Sequence, residues 1–544
     1  MGFRTGSTGS PTFHGSDPRA TPLATAIDAR IDGSVRADTY TRHLFATDAS
    51  LYRALPVAVV FPRSAEDVYA VVDVCRERDV PLLPRGGGTS LAGQTVNEAV
   101  VLDCSRHLSD VTDIDHEEHR VTAQPGVVLG ELNERLEDEG LRFAPDPAWR
   151  NHSTLGGAIG NDSSGAHSLV YGTTRDHVHE LEVVFIDGTV ARLGPIEIET
   201  VHEQADPEGD AYERLLARAS RLLSEGRERI EAAYPDLHRN TAGYALDTLL
   251  ETDDRGRINL ARLFVGSEGT LGVVTQATVA VVEPPDAVGA ILLSYDDHQA
   301  AMADVPAILE LDPAAVETMD EPVLEIARDH PTFADVARLP HPEASGVLLV
   351  ECFGETEAEV RDQLAELEHR FGPSSGSAID ARIATDDEER TRFWQLRKSS
   401  LPLLLSKTTD EKHIALVEDV AVPPDELASF VAGFRDLLAD HDTTASFYGH
   451  AGASVLHVRP LIDTISSTGR ETMRSVASEV FDLAMAHGGT ITGEHGDGRA
   501  RTEWTQRQYD PAIIDEFRAL KRAVDPNGLL NPGPIAGTVD LTEA

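Results

Sequence analysis

The sequence predicts an α+β protein in two main units, and three observations carry that prediction. At 544 residues the chain exceeds one ordinary domain. Up to Pro284-Pro285, short strand-like runs alternate with glycine-rich loops. Beyond that pair the helical stretches lengthen and strands separate them, so the texture changes at one place. The division that follows is a flexible leader and N-terminal helix (1–49), a first unit (50–285), a second (286–510), and a C-terminal helix and tail (511–544) that return to the first.

In order along the chain, VAVVF (57–61) reads as a strand and SAEDVYAVVDVCRERD as a helix with Ser64 as its N-cap. VPLLP (80–84) and AVVLDC (99–104) complete a small βαβ-like unit with a glycine loop between its last two strands. A strand near 119–123 leads into GVVLGELNERLEDEG, an amphipathic helix stopped by Gly140. After a tract of small residues (153–172), HELEVVFIDGTVARL makes a hairpin through Asp187-Gly188. Residues 208–234 read as one charged helix, and 263–285 as strand-like runs cut by glycine turns. In the second unit GAILLSY (289–295) and GVLLVECFG (346–354) are strands, with helices near 297–310, 355–371 and 423–439. A histidine-containing hairpin (444–460), a long helix (469–487), a glycine-rich turn (488–498) and a helix near 511–523 follow. The pattern predicts helices covering one face of a mainly antiparallel sheet.

Composition excludes several classes of function. With 92 acidic against 47 basic residues the formal net charge is -45, which argues against nucleic acid or an anionic membrane bound through a basic face. Only Lys398, Lys407, Lys412 and Lys521 are lysines. An acid-rich, lysine-poor surface suits molar salt, where the Debye length is roughly 3 Å. Cys75, Cys104 and Cys352 lie far apart with no C-x-x-C, so they supply neither an iron–sulfur cluster nor a disulfide framework. The first twenty residues lack the apolar core of a signal peptide, and Gly6 stands where a myristoylation motif needs Ser or Thr. No apolar run approaches the ~20 residues that span a bilayer. A cytoplasmic protein is expected, peripheral to a membrane only through a partner.

Three glycine-rich loops carry the first chemistry. Pro84, Arg85, Gly86, Gly87, Gly88, Thr89 and Ser90, continuing to Gly93 and Gln94, can expose backbone amides on one side as an anion-binding nest with hydroxyls beside it. Neither a Walker lysine nor G-x-G-x-x-G accompanies it. The stretch 153–165, with Gly156, Gly157, Gly160, Asn161, Ser163 and Gly165, allows close approach to a flat ring. Gly266 to Gly272, with Glu268 and Gly269, is a third loop of this kind.

In this order and spacing the three loops resemble the flavin domain of the vanillyl-alcohol oxidase/PCMH superfamily. They most resemble its D-lactate, glycolate and D-2-hydroxyglutarate dehydrogenase branch, over residues 50–535. The resemblance implies a two-subdomain PCMH-type FAD-binding domain with a cap domain, and FAD with its pyrophosphate on 84–94 and its ring near 156–172. It adds Pro125, Gly126, Tyr171, Gly172 and Asn531 to the implied FAD contacts. Thr89 stands where covalent relatives carry histidine, and no cysteine occurs between 104 and 352, so the expected FAD is non-covalent.

Two further constellations lie in the second unit. His450 and His457 are seven apart; a turn at 451–454 would place them on adjacent strands, where they converge. Gly493-Glu494-His495-Gly496 adds a carboxylate and a third imidazole, the makings of a zinc-type site with an open position. The resemblance implies His450, His457 and Glu494 as ligands of a divalent metal, zinc by donor type, and His495 as catalytic base. It also implies that Arg397, after Trp394, and Lys412, before Glu418-Asp419, bind a substrate carboxylate. Two departures stand out: Leu401 where the 2-hydroxyglutarate enzymes have threonine, and Arg459 where they have asparagine.

The expected activity is therefore oxidation of a D-2-hydroxy acid, D-lactate favoured, with hydride passing to flavin. The alternatives are a D-2-hydroxyglutarate or glycolate dehydrogenase flavin subunit, an alkyl-dihydroxyacetonephosphate synthase type, and a non-catalytic electron-transfer subunit. The expected electron acceptor is a separate iron–sulfur subunit, a quinone or an electron-transfer flavoprotein. Oligomeric state stays open, with a homodimer as one option.

Overall fold

The computed structural model describes residues 20–405, 411–415 and 418–539. The leader, Lys407 and Val417 lie outside them.

Short strands, valine-rich in the second and fourth, make the first sheet: β1 (Ser34–Arg36), β2 (Ala58–Phe61), β3 (Leu82–Arg85) and β4 (Val100–Asp103), in the order β1-β2-β4-β3. β2 and β3 flank β4 in parallel, and every residue of β2 and β4 is buried, as strands covered on both faces should be. Helix Ala65–Arg78 starts where the Ser64 hydroxyl accepts from the Asp67 amide, and it packs Val68, Val71, Val72 and Cys75 into this core. The tail at Leu529–Asn531 lies along β3, with the Asn531 amide bonding to Leu82 O at 2.9 Å.

The second sheet is antiparallel. Its strands are β5 (Val111–Asp115), β6 (Arg120–Ala123), β7 (Val178–Val184) and β8 (Val190–Leu193), with the short pair β9 (Pro195–Glu197) and β10 (Arg257–Asn259) beside it and β11 (Val273–Ala280) in its centre. The order is β5-β6-β11-β7-β8. The β7–β8 turn falls at Asp187-Gly188, where Gly188 has φ +93°. Helix Pro511–Val524 returns to this core through Ile513, Phe517 and Leu520. The single helix expected over 208–234 is instead Ala211–Arg221 and Arg227–Ala233, joined by a π turn that ends at Gly226.

The third sheet holds β12 (Ala287–Tyr295), β13 (Ala315–Asp320), β14 (Gly346–Gly354), β15 (Asp380–Ala384), β16 (Lys412–His413), β17 (Val420–Ala421), β18 (Ala445–His450) and β19 (Val455–Ile462). It runs β15-β12-β14-β13-β18-β19-β16, with β17 on β19, and every pairing is antiparallel. Side chains alternate between its faces. Ile291, Leu293, Leu348 and Val350 meet helices His298–Leu309, Glu357–Phe371, Leu427–Asp440 and Ser467–Ala486. Leu292, Val347, Leu349 and Met319 meet helices Glu321–Asp329 and Asp387–Lys398 on the other side. Helices therefore cover both faces rather than the expected one. Asp387–Lys398 escapes a sequence reading because only Phe393, Leu396 and Arg397 of its twelve residues are buried, which leaves a faint apolar stripe.

Candidate active site

A cavity of about 660 Å³ lies where the glycine loops of the first two sheets meet the third sheet, a size usual for small-molecule and cofactor sites. One end is main chain. The loop after β3 presses against the 153–157 stretch so closely that a Cβ on Gly86 would stand 2.2 Å from Thr154 Oγ1, and one on Gly87 2.0 Å from His152 O. Among the described residues, the amides of Gly86, Gly87, Gly88 and Thr89 find no acceptor. They face a cavity and are free for an anion. Gly160 also lines it, and a Cβ there would meet nothing within 4 Å, so a flat group can lie directly on the backbone.

The other end is the polar part of the third sheet's second face. Glu317 stands two residues from Met319 on β13, Glu351 two from Leu349 on β14, and the pair Tyr448↔His457 aligns β18 with β19. Because the strands turn at 451–454, His450 and His457 share this face, with ring centroids 5.3 Å apart. Glu494 and His495 come from the loop after helix Ser467–Ala486. Asp419 holds that loop by accepting the amides of Glu494 and His495 at 3.0 and 2.8 Å.

All three imidazoles are oriented from behind. His450 Nδ1 lies 2.7 Å from Glu317 Oε1, His457 Nδ1 3.1 Å from Glu418 O, and His495 Nδ1 2.8 Å from Glu418 Oε1. Their Nε2 atoms meet Glu494 Oε1 at 3.4, 3.2 and 3.3 Å. The other Glu494 oxygen accepts from Arg239 and from Ser164 Oγ, the latter at 3.0 Å. Burial opposes charge on Glu494, yet His450 and Arg239 hold its carboxyl well below the ordinary range. Burial likewise opposes charge on His450 and His495. Glu317 and Glu494 nevertheless raise the first, and Glu418 and Asp419 lift the second well above an ordinary imidazole. Burial, with the two neighbouring rings, lowers His457. Asp419, His457, Glu494 and His495 bring ligand atoms within 4.8 Å of one another, a group that could hold a divalent cation, whereas the expected set has His450 in place of His495 and Asp419.

Arg397 reaches the site from helix Asp387–Lys398. Its Nε donates to Glu317 Oε2 at 2.7 Å, and its Nη groups find no acceptor among the described residues. Arg459, 3% exposed, lines the cavity, donates to Tyr448 OH at 2.9 Å, and stands 3.6 Å from Glu418 Oε2. Leu401 also lines the cavity.

Not every residue singled out in the sequence faces the cavity. Lys412 is exposed on β16, outside the lining; Lys398 lines it instead, its ammonium 5.9 Å from the Trp394 ring. Arg85 lines the cavity but spends its guanidinium on Phe45 O, Thr47 O and Thr95 O, holding its own loop. Asn531 works from behind, donating to Gln94 O and Glu268 O at 3.0 and 2.8 Å. Gly93 backs onto Tyr52, Gly126 onto Cys104 O, and Gly172 onto the Asp176 carboxylate, while Tyr171 rests near Phe353. The remaining glycine-loop residues, with Pro125 and Glu268, line the cavity. Sequence reasoning missed Glu317, Arg239, Arg501 and the part played by Glu418.

Two family descriptions match this architecture: "FAD binding domain" over residues 56–194 and "FAD linked oxidases, C-terminal domain" over 284–535. The chain belongs to the FAD-linked oxidases, with a PCMH-type FAD-binding domain. It is 36% identical over 520 residues to a D-2-hydroxyglutarate dehydrogenase of Pseudomonas putida, covering 94% of this chain and 51% of that one. It is 32% identical over 497 residues to glycolate oxidase subunit GlcD of Bacillus subtilis, covering 90% and 92%. The chain thus spans about half the length of the first relative and nearly all of the second. The solved 4-ethylphenol oxidase from Gulosibacter chungangensis shares the fold, with TM-score 0.67 at 16% identity over 97% of this chain and 98% of that one. Among the described residues no helix is long and apolar enough to cross a membrane.

Proposed function

We propose that the chain is an FAD-dependent dehydrogenase of D-2-hydroxy acids. The observation that carries the reading is one cavity with unpaired amides at 86–89 at one end and, at the other, three imidazoles and a carboxylate beside an arginine fork. FAD, held on 84–94 and 156–165 in the first unit, supplies the hydride acceptor. A divalent cation on His450, His457 and Glu494 supplies Lewis acidity toward the substrate hydroxyl.

The chain's own residues do the rest. The free Nη groups of Arg397 clamp the 2-carboxylate, and Glu317 fixes the fork by its Nε, so the acid enters in one orientation. His495, with Nδ1 held by Glu418, takes the hydroxyl proton at Nε2 when its ring is neutral, which its raised pKa confines to the upper end of the pH range. Electrons then leave to a separate acceptor: an iron–sulfur subunit, a quinone or an electron-transfer flavoprotein.

Within this class an apolar Leu401 in the wall favours D-lactate. A second reading, D-2-hydroxyglutarate, is favoured by Arg459 in the same wall, a guanidinium available for a distal carboxylate. Anaerobic titration of the FAD-loaded protein with D-lactate, glycolate and D-2-hydroxyglutarate tests both. The expected outcome is bleaching of the flavin by one of the three in preference. A flavin left oxidised by every D-2-hydroxy acid would remove the assignment.

A further inference from the structure

We propose that Glu351 is a positioning residue that ties the flavin-side loop to the helix carrying Arg397 and so sets how far the substrate stands from the flavin. The inference rests on the reading, given above, of Arg397 as substrate clamp and of 156–165 as a wall of the FAD site. Glu351 is the one charged residue of β14, GVLLVECFG; it is 4% exposed and lines the cavity. Its two carboxylate oxygens go to different units of the molecule. Oε2 lies 2.6 Å from Nε2 of His167, which follows the glycine stretch of the first unit. Oε1 accepts from Trp394 Nε1 at 2.7 Å, and Trp394 stands three residues before Arg397 on one face of helix Asp387–Lys398. The His167 and Trp394 rings also meet each other, with centroids 5.6 Å apart, and both line the cavity.

Both ends of this tie are braced, so it transmits position. In the first unit Arg239 donates to Gly165 O and, at 2.6 Å, to Ser168 Oγ, gripping the loop on either side of His167. Leu169, next in the chain, packs against the core of the third sheet. In the second unit Arg397 Nε bonds to Glu317 on β13 while Trp394 bonds to Glu351 on β14. Those strands are neighbours, so two carboxylates pin the helix at points one turn apart. A buried carboxylate among apolar residues costs free energy unless its oxygens are partnered, and here each partner belongs to a different unit. The clamp for the acid and the wall for the flavin also belong to different units. Hydride transfer needs the two at near-attack distance, and a misplacement of about 1 Å costs about 10²-fold in rate.

Four variants of the full chain test the tie, first without any substrate. Glu351→Ala removes both bonds. The FAD dissociation constant should rise about tenfold and amide exchange in helix Asp387–Lys398 should quicken about tenfold, one hydrogen bond being lost on each side. Glu351→Gln can still accept from Trp394 and donate to His167, so it should return both values to within about threefold of the parent. His167→Phe should move only the FAD constant, and Trp394→Phe only the exchange of the helix. Those two single-bond variants decide the matter should Glu351→Ala fail to fold. In the FAD-loaded Trp394→Phe protein the limiting rate of anaerobic flavin reduction should fall at least about tenfold, with the substrate dissociation constant within about threefold. Parental FAD affinity in His167→Phe together with parental helix exchange in Trp394→Phe would overturn the proposal. So would a Trp394→Phe protein that loses substrate affinity but keeps its reduction rate, since Glu351 would then serve the clamp alone. A parent protein that no D-2-hydroxy acid reduces would instead remove the functional reading, and FAD affinity and amide exchange would still decide whether the two units are tied.

Discussion

Glu317 uses its two carboxylate oxygens for two different tasks, and that makes it the most informative residue to change. Oε1 fixes His450 through Nδ1 and Oε2 fixes Arg397 through Nε, both at 2.7 Å. Burial works against its charge, but His450 and Arg397 hold the carboxyl below its ordinary range. Glu317→Gln should therefore weaken metal binding about 10–100-fold, the usual cost of losing a partner behind a ligand. Substrate binding should weaken with it, since the Arg397 fork loses its charged anchor. Chelator competition measures the first effect, and the substrate dependence of flavin reduction measures the second. Metal affinity unchanged in a folded Glu317→Gln protein would mean that His450 is not a ligand. His450→Ala carries the same prediction more bluntly: metal occupancy should fall.

At the scale of elements, the contact between the two glycine stretches decides whether the cofactor end exists. A Cβ on Gly87 would lie 2.0 Å from the His152 carbonyl, a backbone atom that cannot swing aside. Gly87→Ala should force the loops apart at a cost of about 1–3 kcal/mol, seen as a lower melting temperature and loss of bound flavin. A second prediction concerns the turn at 266–272. Burial, aided by Asp497, pushes the Glu268 carboxyl up to about 8, while the Gly498 amide bonds to both its oxygens and Gln94 lies nearby. The folded state then holds a proton that the unfolded chain releases near 4.5. This stabilisation is complete below 4.5 and is lost as pH rises toward 8. Glu268→Gln mimics the protonated acid, so it should flatten the fall in unfolding free energy over that window, read from denaturant titrations at several pH values. A slope as steep as the parent's would assign the proton elsewhere, to Asp497 first. These loops were legible in the sequence because glycine triplets are rare and have few uses. The histidine hairpin was legible because an odd spacing demands a turn. Glu317, Arg239 and Arg501 were not, because acids and arginines are abundant here and only folding shows which are buried. Glu317 sits in AVETMD, an all-buried strand whose carboxylate was the one available signal. Lys412 drew notice through the resemblance and its rarity, neither of which says where a side chain points.

For the whole molecule, the charge balance makes a prediction independent of the site. A formal charge of -45 on one chain repels itself strongly at low ionic strength. Some acids are neutralised in partly buried pairs, as in Arg218–Glu516 or Lys521–Asp525, while others pair at the open surface, where water screens the partner: Asp387 and Glu357, beside Arg390 and Arg361, keep 93% and 91% of their side-chain surface exposed. Screening shortens the reach of this repulsion from about 10 Å at 0.1 M salt to about 3 Å at 1 M. The melting temperature should therefore climb steadily between those concentrations of KCl. Salts also stabilise proteins by exclusion from their surface, so the rise alone does not identify its cause. A variant with about six exposed glutamates changed to glutamine separates the two, because it lowers self-repulsion and leaves exclusion nearly unchanged. It should be more stable than the parent at 0.1 M KCl and converge with it at high salt. If parent and variant kept parallel salt curves, self-repulsion would not be what salt relieves, and the acidic surface would need another explanation.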